Sequence, residues 1–167
     1  MNARHQDVSI APSVGRAIDL SPVARLAITR PGRTPWAVPI VYAYADQRIW
    51  SPVDGKPKAQ MPPMDSAPNT ALRPIARIGH LRREGSATLL IDRYDEDWTQ
   101  LWWIRLTLKV AVLELPPDTA QDHIGALALL SKYRQYASTA LFGTPPTLLE
   151  MHITAVASWS VSGDFAS

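Results

Sequence analysis

At 167 residues, with 46% hydrophobic and 19% charged side chains, the chain has the size and balance of one globular domain whose core needs no metal or disulfide staple. It holds no cysteine, which excludes disulfides and thiolate ligands, and its net charge of +2 is too small to point to nucleic acid. Residues 1–20 lack the apolar stretch of a leader, and no apolar run approaches the ~20 residues of a membrane span, so a cytoplasmic chain without membrane or nucleic-acid partners is expected.

Residues 1–20 have weak periodicity and read as an N-terminal arm or a short helix, with the domain proper running over 21–163. Ala24, Leu26 and Ile28 alternate along a first strand, and Pro31-Gly32 supplies a turn. The run Trp36 to Tyr44 is apolar on both faces, which predicts one continuous second strand covered on both sides. Asp46-Gln47 closes a hairpin into a third strand, Arg48 to Val53.

Residues 57–69 carry prolines at 57, 62, 63 and 68, and proline cannot pair inside a sheet, so this is a long loop. It fits either a lid over a site, with Met61 and Met64 as an adaptable underside, or a solvated insertion. Thr70 caps a predicted helix to Glu84 with Leu72, Ile75, Ile78 and Leu81 on one stripe, and Gly85 ends it. Ser86 to Tyr94 is a fourth strand. The long run Trp102 to Val112 alternates a dry face with a mixed one. Asp118 is the expected cap of a second helix with Ala120, Ile124, Leu127, Leu130 and Tyr133 inward. Leu149, Met151, Ile153, Ala155, Ala157 and Trp159 alternate along a last strand. These elements add up to a mainly β (α+β) fold, a six-stranded, largely antiparallel barrel with two helices.

The chain lacks G-x-G-x-x-G, a P-loop and a nucleophile elbow, and its four histidines are scattered without metal-ligand spacing. No catalytic residue and no metal site is therefore assigned. Residues 54–93 hold seven basic against four acidic side chains, a local excess that suits a small anion. Lys56 and Lys58, followed by Arg73 and Arg77 at the start of the predicted helix, fit an anion site, and they fit solvated loop and helix positions equally well. Trp98, Trp102 and Trp103 crowd one segment. Trp102 falls on the dry face and reads as core. Trp98 and Trp103 fall off it and suit a pocket wall or a subunit contact.

Several stretches resemble a known family: residues 24–31, Val38-Pro39-Ile40-Val41-Tyr42-Ala43, Asp54-Gly55-Lys56-Pro57-Lys58, Leu90 to Trp98, and Leu101-Trp102-Trp103-Ile104-Arg105. Over about residues 22–161 the chain is similar to the split-barrel family related to pyridoxamine 5′-phosphate oxidase, in its branch of deazaflavin (coenzyme F420)-dependent oxidoreductases. The resemblance implies a homodimer with the cofactor in a groove at the two-fold interface, its ring along Val38, Pro39 and Ile40 and its phosphate near Ser51, Lys56, Lys58 and Arg73. Trp98 and Trp103 would come from the partner chain, and hydride would pass to or from a small activated alkene, imine or carbonyl. Relatives of this barrel bind FMN or haem as well, so an FMN enzyme or a non-catalytic flavin or haem binder is the alternative, with His80 as the candidate axial ligand. The chain departs from the family in the long segment before Leu72 and in a first hairpin one residue short. The dry face of Trp102–Val112 and the surplus of aromatics also predict a homodimer.

Overall fold

The computed structural model describes residues 8–29, 32, 34–54 and 76–165. In chain order these are α1 (Pro12–Leu20), β1 (Ala24–Ile28), β2 (Trp36–Ile40), β3 (Ala43–Ala45), β4 (Arg48–Pro52), α2 (Ala76–Glu84), β5 (Ser86–Arg93), β6 (Trp102–Glu114), α3 (Ile124–Lys132) and β7 (Thr147–Ser160). The strands form one antiparallel sheet in the order β2-β1-β5-β6-β7-β4-β3. It curls into a half-barrel whose two edges, β2 and β3, are consecutive in sequence.

The strand count is seven rather than six because the predicted second strand breaks at Val41-Tyr42. Tyr133 causes the break. Its hydroxyl accepts from the Tyr42 amide at 3.0 Å and lies 2.7 Å from the Tyr42 carbonyl and 2.8 Å from that of Pro22, donating its one proton there. The Tyr42 amide and one carbonyl at a time are thereby satisfied without a neighbouring strand. β3 then turns into β4 through Asp46 and Gln47, at φ 51° and 56°, the left-handed pair that a two-residue hairpin requires.

The main core lies inside the curl. Leu26, Ile28, Leu89, Ile91, Ile104 and Leu106 are fully buried there, each contributing roughly 1.5–3 kcal/mol on folding. The predicted alternation of β1 and of Trp102 to Val110 is observed. The arm is partly structural, since α1 buries Val14, Ala17 and Ile18 in this core. Of the predicted α2 stripe, Ile78 and Leu81 are buried, whereas Thr70, Leu72 and Ile75 lie outside the described residues. Gly85 ends α2 at φ +61°, its amide bonded to the Leu81 carbonyl at 2.9 Å.

Three expectations are corrected. The second strand is not covered on both sides: Ala37 and Pro39 of β2 are exposed. β7 does not keep one phase, because pairing with β6 slips at Thr107/Leu108, which leaves Thr154 as an extra residue. Past that bulge Val156 turns inward while Ala155, Ala157 and Trp159 turn outward, and Trp159 is 44% exposed. Nor does Asp118 cap the second helix. A 3-10 turn over Ala120–Asp122 intervenes, and His123 caps α3, its Nδ1 accepting from the Gly125 amide at 3.1 Å. The inward residues of α3 are accordingly Gly125, Ala126 and Leu129, while Ile124 and Leu127 are exposed. They form a second core with Trp50, Tyr133, Tyr136 and Leu148.

Candidate functional site

The residues suggested as cofactor ligands fall into three groups. Val38, Pro39 and Ile40 lie on β2, which among the described residues pairs with β1 alone. Val38 and Ile40 point into the core, whereas Pro39 is exposed on the outer face. Ser51 is buried on β4 and donates its hydroxyl proton to the Val41 carbonyl at 2.8 Å, across the point where the second strand breaks. That proton is already committed. Lys56, Lys58 and Arg73 lie outside the described residues, as does the loop 57–69.

Arg77 and Tyr136 add to this region. Arg77 is half-buried on α2, and its buried Nε has no hydrogen-bond partner among the described residues. Desolvation lowers its pKa, and Asp54, at the end of β4, acts in the opposite sense. The phenol of Tyr136 is likewise buried without a partner among the described residues, and its pKa is pushed up to about 12, first by burial and then by Asp54. An unsatisfied buried donor costs roughly 1–3 kcal/mol. Both groups feel the Asp54 carboxylate, two residues past the end of β4, and each would be stabilised by an acceptor. Tyr136 carried no sequence signal, because an aromatic in a helical stretch reads as core.

The third group is aromatic. Asp97 accepts from the amide and the hydroxyl of Thr99 at 3.0 and 2.6 Å, and Asp95 accepts from the Asp97 amide at 3.2 Å. These bonds, from Thr99 for Asp97 and chiefly from the Asp97 amide for Asp95, hold both carboxyls below the usual carboxylate range. The acidic turn so built presents Trp98, 77% exposed, to solvent. Trp103 pairs across the sheet with Trp159, and the Arg105 guanidinium lies 5.9 Å from its ring centroid. Both tryptophans stand on the outer face of β5, β6 and β7, together with Leu90 and Ala157. The dry face of β6 is consumed by the chain's own core, and Trp103 and Trp159 stand on the opposite one.

His80 packs edge-on against Trp36 at 5.5 Å, and its Nδ1 accepts from Arg83 Nη2 at 2.9 Å. Among the described residues no group of three or more His, Asp or Glu is placed to hold a metal, and no helix is long and apolar enough to cross a membrane.

No family model matches the chain, and no curated protein matches it. Solved structures do. A FAD-binding protein of Mesorhizobium loti superposes with a TM-score of 0.56 at 17% identity, covering 86% of this chain and 88% of its own. A candidate pyridoxamine 5′-phosphate oxidase of Listeria innocua gives 0.54 at 10% identity, over 86% and 92%. An F420 reductase gives 0.53 at 12% identity, over 85% and 94%. At these identities the likeness is one of fold: the chain is a split barrel of the pyridoxamine-phosphate-oxidase type.

Proposed function

We propose that this protein is a deazaflavin (coenzyme F420)-dependent oxidoreductase, a cytoplasmic homodimer that moves hydride to or from a small activated alkene, imine or carbonyl. The observation that supports it most is the pair of donors without a partner among the described residues, Arg77 Nε and the Tyr136 phenol, both of which feel Asp54 just past the end of β4. Lys56, Lys58 and Arg73 belong to the chain that leaves this point and returns to α2, so the donor set fits a phosphate-bearing cofactor. The edge of β2, which among the described residues pairs with β1 alone, suits a flat ring laid along Val38, Pro39 and Ile40.

When bound, a deazaflavin supplies the hydride donor or acceptor, which accounts for a chain without a catalytic triad. The protein's own residues bind and orient. The cationic side chains hold the anionic end, and β2 fixes the ring. Trp98 and Trp103 of a second copy wall the groove and exclude water. The outer face of β5–β7, with Trp103, Trp159, Leu90 and Ala157, is the surface on which two copies meet.

The anion assignment is tested by titrating deazaflavin into the wild-type chain and into Lys56→Ala, Arg73→Ala and Arg77→Ala. Each charged hydrogen bond is worth roughly 1.5–3 kcal/mol, so each loss should loosen binding by about tenfold or more, and binding should weaken with salt. Unchanged affinity in all three variants would place the phosphate elsewhere.

A further inference from the structure

A second cavity opens between the end of α1 and the end of α3. Its volume is about 780 Å³, and its lining joins Pro22, Val41, Ala43 and Ala128 with the polar side chains of Asp19, Lys132 and Gln135. None of the residues assigned above to the cofactor lines it.

Lys132 is the last residue of α3 and is half-buried in that wall. Its Nζ stands 4.1 Å from the ring centroid of Tyr42 and 5.7 Å from that of Tyr133. The one acceptor it reaches among the described residues is the Ile18 carbonyl, at 3.4 Å. An ammonium has three N–H groups to satisfy. Here two ring faces offer a cation attraction without accepting in line, and no carboxylate among the described residues pairs with it directly. The groups that face it are Asp19 from α1, Tyr42 from the β2–β3 crossing and Tyr133 at the end of its own helix.

We propose that Lys132 is a nucleophilic amine that takes up small neutral aldehydes with an apolar body, held in the cavity between α1 and α3. The apolar walls receive the body of the ligand. Asp19 in the lining disfavours an anionic one. The nitrogen lone pair forms the C–N bond, and the carbonyl oxygen leaves as water with the two amine protons. Nothing is oxidised or reduced. Once protonated, the resulting imine keeps a cation over the Tyr42 ring, where the ammonium had been.

The protonation state supports the geometry. Burial lowers the pKa of Lys132 to about 8, with Asp19 opposing, and the attraction of the two ring faces for a cation opposes it as well. At pH 7.5 about a quarter of such an amine is neutral, against roughly 0.1% for a lysine at its usual ~10.4. Lower basicity gives back part of that advantage, leaving an expected excess in rate of about tenfold.

The chain has four lysines, Lys56, Lys58, Lys109 and Lys132, so the reaction is easily mapped. The full-length protein is incubated with benzaldehyde and sodium cyanoborohydride at pH 7.5, and each site is followed by peptide mass analysis. The benzyl adduct should form at Lys132 about ten times faster than at Lys109, which is exposed on β6. Lys132→Arg should remove that adduct and leave labelling of Lys109 unchanged. Equal rates at Lys132 and Lys109, or no adduct at Lys132, would overturn the proposal. The comparison is internal to the wild-type chain, so it decides even if the variant fails to fold.

Discussion

Tyr133 does the work of a missing strand. Its hydroxyl serves the Tyr42 amide and the carbonyls of Tyr42 and Pro22, and Tyr42 in turn donates to the Ile18 carbonyl at 2.6 Å. Burial raises the pKa of both phenols, so both stay protonated over the physiological range and can keep donating. Tyr133→Phe removes one oxygen and strands buried backbone groups on both sides of it. The expected loss is about 1–3 kcal/mol of unfolding free energy, read as a lower urea midpoint at unchanged slope. A midpoint equal to that of the wild type would mean that water replaces the hydroxyl at no cost.

At the scale of elements, the seat of α3 is set by one glycine. A β-carbon on Gly125 would meet the Trp50 indole at 2.5 Å. That indole is pinned, its Nε1 donating to the Ala45 carbonyl at 3.1 Å and its ring lying 5.1 Å from that of His123. Gly125→Ala should therefore cost about 1–3 kcal/mol and disturb the near-ultraviolet signal of Trp50, although alanine is the better helix former. A stabilised variant with an unaltered spectrum would show that α3 shifts freely. This contact also explains what the sequence concealed. The periods of β1 and β6 were legible because each strand buries one face against a continuous core. The α3 stripe was misjudged because its phase follows from Gly125 under Trp50, a contact some 75 residues apart in sequence. The phase of β7 was hidden in the same way, because the bulge at Thr154 is a property of pairing with β6 and Thr154 has no composition of its own to mark it. The candidate site was half legible. The outward setting of Trp98 and Trp103 follows from their place off the dry face, whereas the isolation of Arg77 Nε and of the Tyr136 phenol among the described residues is visible only once their neighbours are placed.

At the scale of the whole molecule, the two faces of the sheet are covered by different helices, and neither α2 nor α3 packs over the part of the outer face that carries Trp103 and Trp159. α2 packs on β6 and β1 from the core side, while α3 packs on β3, β4 and β7. The outer surface of β5–β7 carries Trp103 and Trp159 side by side. Two copies joined there should behave in light scattering as a particle of twice 18.4 kDa, and Trp159→Glu should halve it by removing the aromatic surface beside Trp103. A wild-type mass of one chain at micromolar concentration would remove the dimer, and with it the second wall of the proposed groove.

The cofactor is the central claim, and affinity tests it most directly. The purified chain is titrated separately with coenzyme F420, FMN and haem in one buffer at physiological salt. Tightest binding by the deazaflavin, weakened about tenfold or more in Arg77→Ala, is the predicted result. Preference for FMN or haem, or no binding of coenzyme F420 at all, would contradict it.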